Sequence, residues 1–232
     1  MKVAIMQPYF LPYLGYLQLI KSVDRFVIYD TIKYTKKGWI NRNRYLTNNE
    51  PTIFSIPIKK DSDYLNINQR ILSDNYLDYN KKTLRKIEQS YKKAPNFNEI
   101  FPMISDIFLF DKTNNLFDFI FNSIEVLVNY LEIKTPLIKS SEIDGDDTIL
   151  KAKVRVVNIC NQLSADEYIN PIGGTDLYSK EVFQKYGLNL NFHKINEIEY
   201  QQFSNPYVPY LSILDTMMFT DAHSLLNEYK LV

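Results

Sequence analysis

The most constraining feature of this chain is its opening. An apolar run, Val3-Ala4-Ile5-Met6, is broken by Gln7-Pro8. Tyr13-Leu14-Gly15-Tyr16 then begins a helical pattern that Leu17, Leu19 and Ile20 continue toward Asp24, and a second apolar run from Arg25 to Tyr29 ends at Asp30. A short apolar run closed by a breaker reads as a buried strand. The segment therefore predicts a βαβ unit, with parallel strands and a right-handed crossover.

Beyond this unit the pattern changes twice. Residues 31–44 keep no sustained apolar period and read as a loop, with a short extended piece near Trp39. Strands are expected at 51–58 and 67–72. Helices follow at 76–92, 98–110 and 114–131; in the last, Leu116, Phe117, Ile120, Phe121, Ile124, Leu127, Val128 and Leu131 form a wide apolar stripe. Alternation then returns. Strands are expected at 136–139, 167–170 and 188–195, and helices at 151–163, 175–186, 211–219 and 221–229, with Gly187 as a helix stop. Strands alternating with helices at both ends predict an α/β protein with a parallel, Rossmann-like sheet and a mostly helical insertion or subdomain in the middle. The expected division is 1–75 and 135–232 for the two parts of the α/β domain and 76–134 for the insertion.

A chain of 232 residues can bury a core without metal or disulfide support. Its 27 basic residues balance 27 acidic ones, so neither nucleic acid nor an anionic membrane surface is an expected partner. The single cysteine, Cys160, sits in an apolar run and reads as a small buried hydrophobe. The N-terminus lacks the pattern of a secretion signal, and no apolar run approaches the ~18 residues of a membrane span. A cytoplasmic location, without membrane insertion, is the expectation.

Open α/β sheets bind ligands outside the carboxyl ends of their strands. That rule singles out the loop after Met6, the loop after Asp30, Ser140-Ser141, and Gly173-Gly174. The glycine pair suits either a backbone approach to an anion or a plain tight turn. Lys37, Trp39, Asn41, Arg42, Asn43 and Arg44 form the densest polar cluster, with arginines able to grip phosphate or carboxylate. The histidines, His193 and His223, give no metal spacing, and serine-hydrolase, Walker and dinucleotide motifs are missing from the sequence. The sequence identifies no cofactor.

Met6-Gln7-Pro8-Tyr9-Phe10-Leu11-Pro12-Tyr13-Leu14-Gly15-Tyr16 resembles the opening of the WbqC-like protein family, and Lys37-Gly38-Trp39-Ile40-Asn41-Arg42-Asn43-Arg44 resembles its second motif. Asn170-Pro171-Ile172-Gly173-Gly174 and Leu211-Ser212-Ile213-Leu214-Asp215 resemble its two later motifs. Thr31 departs from the second acid that the family often carries after Asp30. The resemblance implies a place in bacterial surface-polysaccharide pathways, O-antigen above all. A fainter likeness links the strand–loop–helix to the segment bearing the H-x-G-H signature of nucleotidyltransferases. Gly15 takes the glycine position, with Tyr13 and Tyr16 where histidines would stand.

These readings lead to an enzyme acting on a nucleotide-linked amino sugar, transferring an acyl or aminoacyl group to its amine. Asp30 or Asp215 is the expected general base. Gln7, Tyr9, Tyr13, Gly15 and Tyr16 are expected at one cleft. Asn41 and Arg42 are expected to line that cleft, with Lys37, Trp39, Arg44, Gly173, Gly174 and Ser212 as further ligand-binding residues. Nucleotidyl transfer or ATP-dependent acyl activation is one alternative. A non-catalytic partner of a glycosyltransferase complex is another. The ligand is expected to be a nucleotide sugar or nucleotide, and a homo-oligomer is left open.

Overall fold

A computed structural model describes residues 1–144, 152–203 and 206–232. Strand β1 (Lys2–Met6), helix α1 (Leu14–Lys21) and strand β2 (Arg25–Ile28) form the opening unit, with β1 and β2 parallel. Helix α1 starts where Tyr13, still extended at φ −72 and ψ 163, offers its carbonyl to the Tyr16 N–H. It is buried from Leu14 to Ile20, including the polar Gln18, whose Nε2 donates to the carbonyls of Leu225 and Glu228.

Strands β3 (Arg42–Thr47) and β4 (Glu50–Ser55) make a separate antiparallel hairpin. Asn48 and Asn49 close it with φ of 50 and 68, the left-handed values that a two-residue hairpin turn demands. The loop expected at 31–44 thus ends three residues early, because Arg42, Asn43 and Arg44 are strand. Their inward residue is the polar Asn43, which hides the alternation. The strand expected at 67–72 is instead a short 3-10 turn at Ile67–Gln69, closed by the reciprocal Asn66 and Gln69 bonds of a capping box.

Helices α2 (Tyr76–Tyr91), α3 (Phe97–Phe108) and α4 (Leu116–Tyr130) follow. Asn115 caps α4 by accepting from the Phe117 and Asp118 N–H groups. The buried faces of these helices, Ile87, Tyr91, Ile104 and Ile120 among them, share one core with Leu17 of α1 and Phe26 of β2.

The last part contains β5 (Leu137–Lys139), α5 (Ser141–Asp144), α6 (Ala152–Gln162), β6 (Glu167–Pro171), α7 (Lys180–Gln184), β7 (Asn189–Ile195), α8 (Ile213–Phe219), α9 (Ala222–Leu225) and β8 (Tyr229–Leu231). The expected helix at 151–163 begins at residue 151, outside the described residues. The helix expected at 175–186 shrinks to α7, capped by Ser179. The one expected at 221–229 is the single turn α9, and its end becomes β8, which zips antiparallel onto the exposed edge of β7.

The six-stranded sheet has the order β5-β2-β1-β6-β7-β8, its first five strands parallel. Counted over the parallel strands this is the doubly wound order 3-2-1-4-5. Val3, Ile5, Val27, Val157, Cys160 and Phe183 build the core on one face, where burial pushes the Cys160 thiol up to about 12. The α1 core lies on the other. Among the described residues no helix is long and apolar enough to cross a membrane.

Candidate functional site

Loop 7–13 leaves β1 at its carboxyl end, and the rest of the chain clamps it. Leu11 is buried with φ of 43, a left-handed conformation that costs a branched residue free energy. Its carbonyl accepts from Asn43 Nδ2 at 2.7 Å and from Ser212 Oγ at 2.8 Å. The Phe10 N–H donates to the Ile40 carbonyl, and the Ile213 N–H to the Pro12 carbonyl. The opening loop, the Trp39–Arg44 segment and the start of α8 therefore converge. Ser212 serves this clamp and also caps α8, and it is fully buried.

The clamp presents Tyr9, Tyr13, Trp39 and Arg44 around a cavity of about 170 Å³, completed by Tyr210. Tyr13 and Tyr210 meet edge to face, with ring centroids 6.5 Å apart. The same two rings also wall a larger cavity of about 520 Å³, with Tyr200, Tyr207, Lys194 and Glu199. Lys194 and Ile195, the last two residues of β7, both line it, so the larger cavity lies on the side where the parallel strands β1 and β7 finish. Tyr210 is 64% exposed and has φ of 57, a second left-handed residue beside the cavities. Burial, with smaller contributions from Tyr9 and Tyr210, pushes the Tyr13 phenol up to about 12, so it is a neutral donor at physiological pH.

Tyr16 does not join this group. It is 1% exposed, and its hydroxyl donates to the Gln7 carbonyl at 3.0 Å. Tyr13 is the residue before the helix, not on it, so the helical spacing that would align the two rings does not apply. Gly15 supports Tyr13: a β-carbon there would lie 2.4 Å from Tyr13 Cε2.

The second motif splits in two. Trp39, 39% exposed, lies beneath both guanidinium groups, Arg42 at 5.3 Å and Arg44 at 5.4 Å from its ring centroid. Arg44 Nη2 donates to the Tyr210 carbonyl at 2.9 Å, which ties the cavity's two sides together. Arg42 turns inward on its own loop, donating to the carbonyls of Gly38 and Lys37. Asn41 is buried between the Tyr34 hydroxyl, which donates to it, and the Ile56 carbonyl, which it donates to. Contrary to expectation, Asn41 and Arg42 hold the loop's shape and do not line the cleft with Tyr13. Lys37 is exposed.

Both candidate bases are enclosed. Asp215 is fully buried; Oδ2 accepts from Tyr91, and Oδ1 from Tyr200 at 2.8 Å and Gln202 at 2.6 Å. Burial raises its pKa, and those three donors counter the rise. Tyr200, which donates to it, lines the larger cavity. Asp30, 2% exposed, accepts from Ser140 Oγ, the Ser141 N–H and Asn68 Nδ2, tying the ends of β2 and β5 to the 3-10 turn. Gly173-Gly174 sits in a one-turn 3-10 helix with no α-helix following directly. Gly174 leaves room for the Asn170 side chain, whose Nδ2 lies 1.8 Å from where a β-carbon would be; Gly173 is open.

The sequence pattern did not mark Tyr200, Tyr207, Tyr210 or Lys194 as site residues. The aromatic and proline-rich stretch before Leu211 was their one signal. Among the described residues no group of histidine, cysteine and carboxylate side chains could hold a metal ion.

A doubly wound, mostly parallel sheet flanked by helices, with a clamped first loop and an aromatic cleft on the side where its strands end, defines a mixed α/β protein. The chain belongs to the WbqC-like protein family, whose profile matches residues 7–226. It is similar to a protein of Mycobacterium tuberculosis (strain ATCC 25618 / H37Rv) described as the uncharacterized protein Rv1507c, 29% identical over 224 residues that cover 96% of this chain and 95% of that one. No solved structure matches it significantly.

Proposed function

We propose that this protein binds a nucleotide-linked amino sugar in the aromatic cleft and transfers an acyl or aminoacyl group to its amine, within bacterial surface-glycan synthesis. The observation that carries the reading is the pair Tyr13 and Tyr210, which wall both cavities. Aromatic faces stack on the C–H faces of sugars or on bases, and Lys194, Glu197 and Glu199 supply hydrogen-bonding groups at the larger cavity. A neutral amine attacks the acyl carbon, the C–N bond forms as the bond to the donor's leaving group breaks and that group departs with its electron pair, and the amine loses a proton as the amide forms. In this reading a carboxylate at the cleft, Glu197 or Glu199, takes that proton. Asp215 acts as a positioning residue, because it fixes the hydroxyl of Tyr200, which Thr216 also contacts at 3.1 Å.

Nucleotidyl transfer fits less well. The ring of Tyr13 fills the space over Gly15 that a nucleotide would need.

The test is thermal stabilisation by nucleotide sugars with and without a free amine, followed by mass spectrometry of the product with acyl donors. The expected result is stabilisation by an amino-sugar nucleotide that Tyr210→Asn abolishes. Asparagine tolerates the left-handed backbone, so that variant should keep its apo melting temperature. Absence of stabilisation by every nucleotide sugar would favour a non-catalytic partner of a glycosyltransferase complex.

A further inference from the structure

Buried charges are ordinarily paired, because an unpaired one costs several kcal/mol. Arg70 breaks this rule. It is 2% exposed, and its Nε and Nη2 are both shut off from solvent without a hydrogen-bond partner. Among the described residues no carboxylate forms an ion pair with it. Its guanidinium lies over the ring of Tyr34, 4.8 Å from the centroid. Nε and Nη2 share one edge of the guanidinium, the edge that grips two oxygens of one anion.

The surroundings are basic. Arg70, Arg42 and Lys36 all act on the Tyr34 hydroxyl. Lys33 lies over the ring of Tyr64 at 4.6 Å, and the acid paired with Lys36 is Asp63, at 2.6 Å. The backbone explains the placement. The Tyr34 N–H donates to the Leu65 carbonyl and the Ile67 N–H to the Ile32 carbonyl, laying the 3-10 turn along the segment that leaves β2. Arg70 therefore sits on the carboxyl side of the sheet, where doubly wound proteins take ligands.

We infer that Arg70, with Lys33 and Lys36 near Tyr34, forms a phosphoryl-binding site in which the Nε and Nη2 edge of Arg70 grips two phosphate oxygens. The excess of cations favours a multiply charged phosphoryl group over a single carboxylate. The site does not depend on what occupies the aromatic cleft; Arg42, stacked on Trp39, stands between the two.

The experiment is thermal unfolding of the full chain in inorganic phosphate, pyrophosphate, uridine diphosphate or acetate, against chloride at matched ionic strength. The wild type should show a saturable rise in melting temperature with the phosphoryl probes, and little with acetate. Comparing free phosphate with uridine diphosphate tells whether the phosphoryl group arrives alone or on a nucleotide. Arg70→Met should melt higher than wild type in chloride, because it removes an unpaired buried charge, and should lose the phosphate response. Arg70→Lys should retain a response weakened by about tenfold, because lysine lacks the fork. The proposal fails if the wild type gives no saturable response, if acetate matches phosphate, or if Arg70→Met keeps the wild-type response. Failure of both variants to fold would also overturn it, making Arg70 a structural partner of Tyr34.

Discussion

A β-carbon on Gly15 would lie 2.4 Å from Cε2 of Tyr13, closer than packed side chains allow. The glycine and the ring are therefore one unit. Gly15→Ala should cost about 1–3 kcal/mol through overpacking. In a Tyr13→Ala background the same change should stabilise by about 0.5–1 kcal/mol, since alanine is the better helix former. A double-mutant cycle by urea unfolding measures the coupling. Equal effects in both backgrounds would show that Gly15 answers to something other than Tyr13.

Arg42→Ala should loosen the loop that Arg42 braces through the Gly38 and Lys37 carbonyls. The expected loss is about 1–3 kcal/mol, with faster trypsin cleavage at Lys36 and Lys37. Arg42→Lys should rescue little, because one ammonium cannot reproduce the planar fork. Unchanged apo stability with weakened ligand binding would return Arg42 to the cleft.

Asp215→Ala should strand the donors of Tyr91, Tyr200 and Gln202 in a buried place. A loss of about 3 kcal/mol or more is expected, with Asp215→Asn less damaging because its carbonyl still accepts. Melting curves of the two variants give the ranking, and a harmless Asp215→Ala would contradict it.

His193 gives a pH dependence. It is buried against the ring of Tyr229, centroids 4.7 Å apart, and its Nε2 has no partner. Burial holds its pKa down to about 4, against an ordinary 6.5. Between those values the unfolded chain binds the proton and the folded chain does not, so stability falls as pH drops from 6.5 toward 4. The contribution is on the order of 3 kcal/mol at most. His193→Phe keeps a ring on Tyr229 and removes the proton site. Its stability relative to wild type should grow across that window and level off below it. Denaturant unfolding at several pH values reads this, and parallel pH profiles would mean that His193 titrates alike in the folded and unfolded chain.

The sequence by itself determined the parallel βαβ opening, the doubly wound class and the three long helices between residues 76 and 131. Those features follow from local periodicity, which burial on one face imposes on neighbouring residues. It also drew attention to the segments that converge around Leu11. It did not say which side chains in them face a cavity. Asn43 hid strand β3, because the group that satisfies it inside the fold is the Leu11 carbonyl, 32 residues away. Tyr13 and Tyr16 looked alike until the start of α1 placed one before the helix and the other within it. Arg42 and Arg44 were equivalent by type, and only the packing decided that one braces its own loop while the other reaches the Tyr210 carbonyl, 166 residues along the chain. The cleft joins Tyr13 to Tyr210 across nearly the whole chain. No local pattern encodes such a pairing, because strand order and crossovers, not neighbouring residues, bring the two rings together.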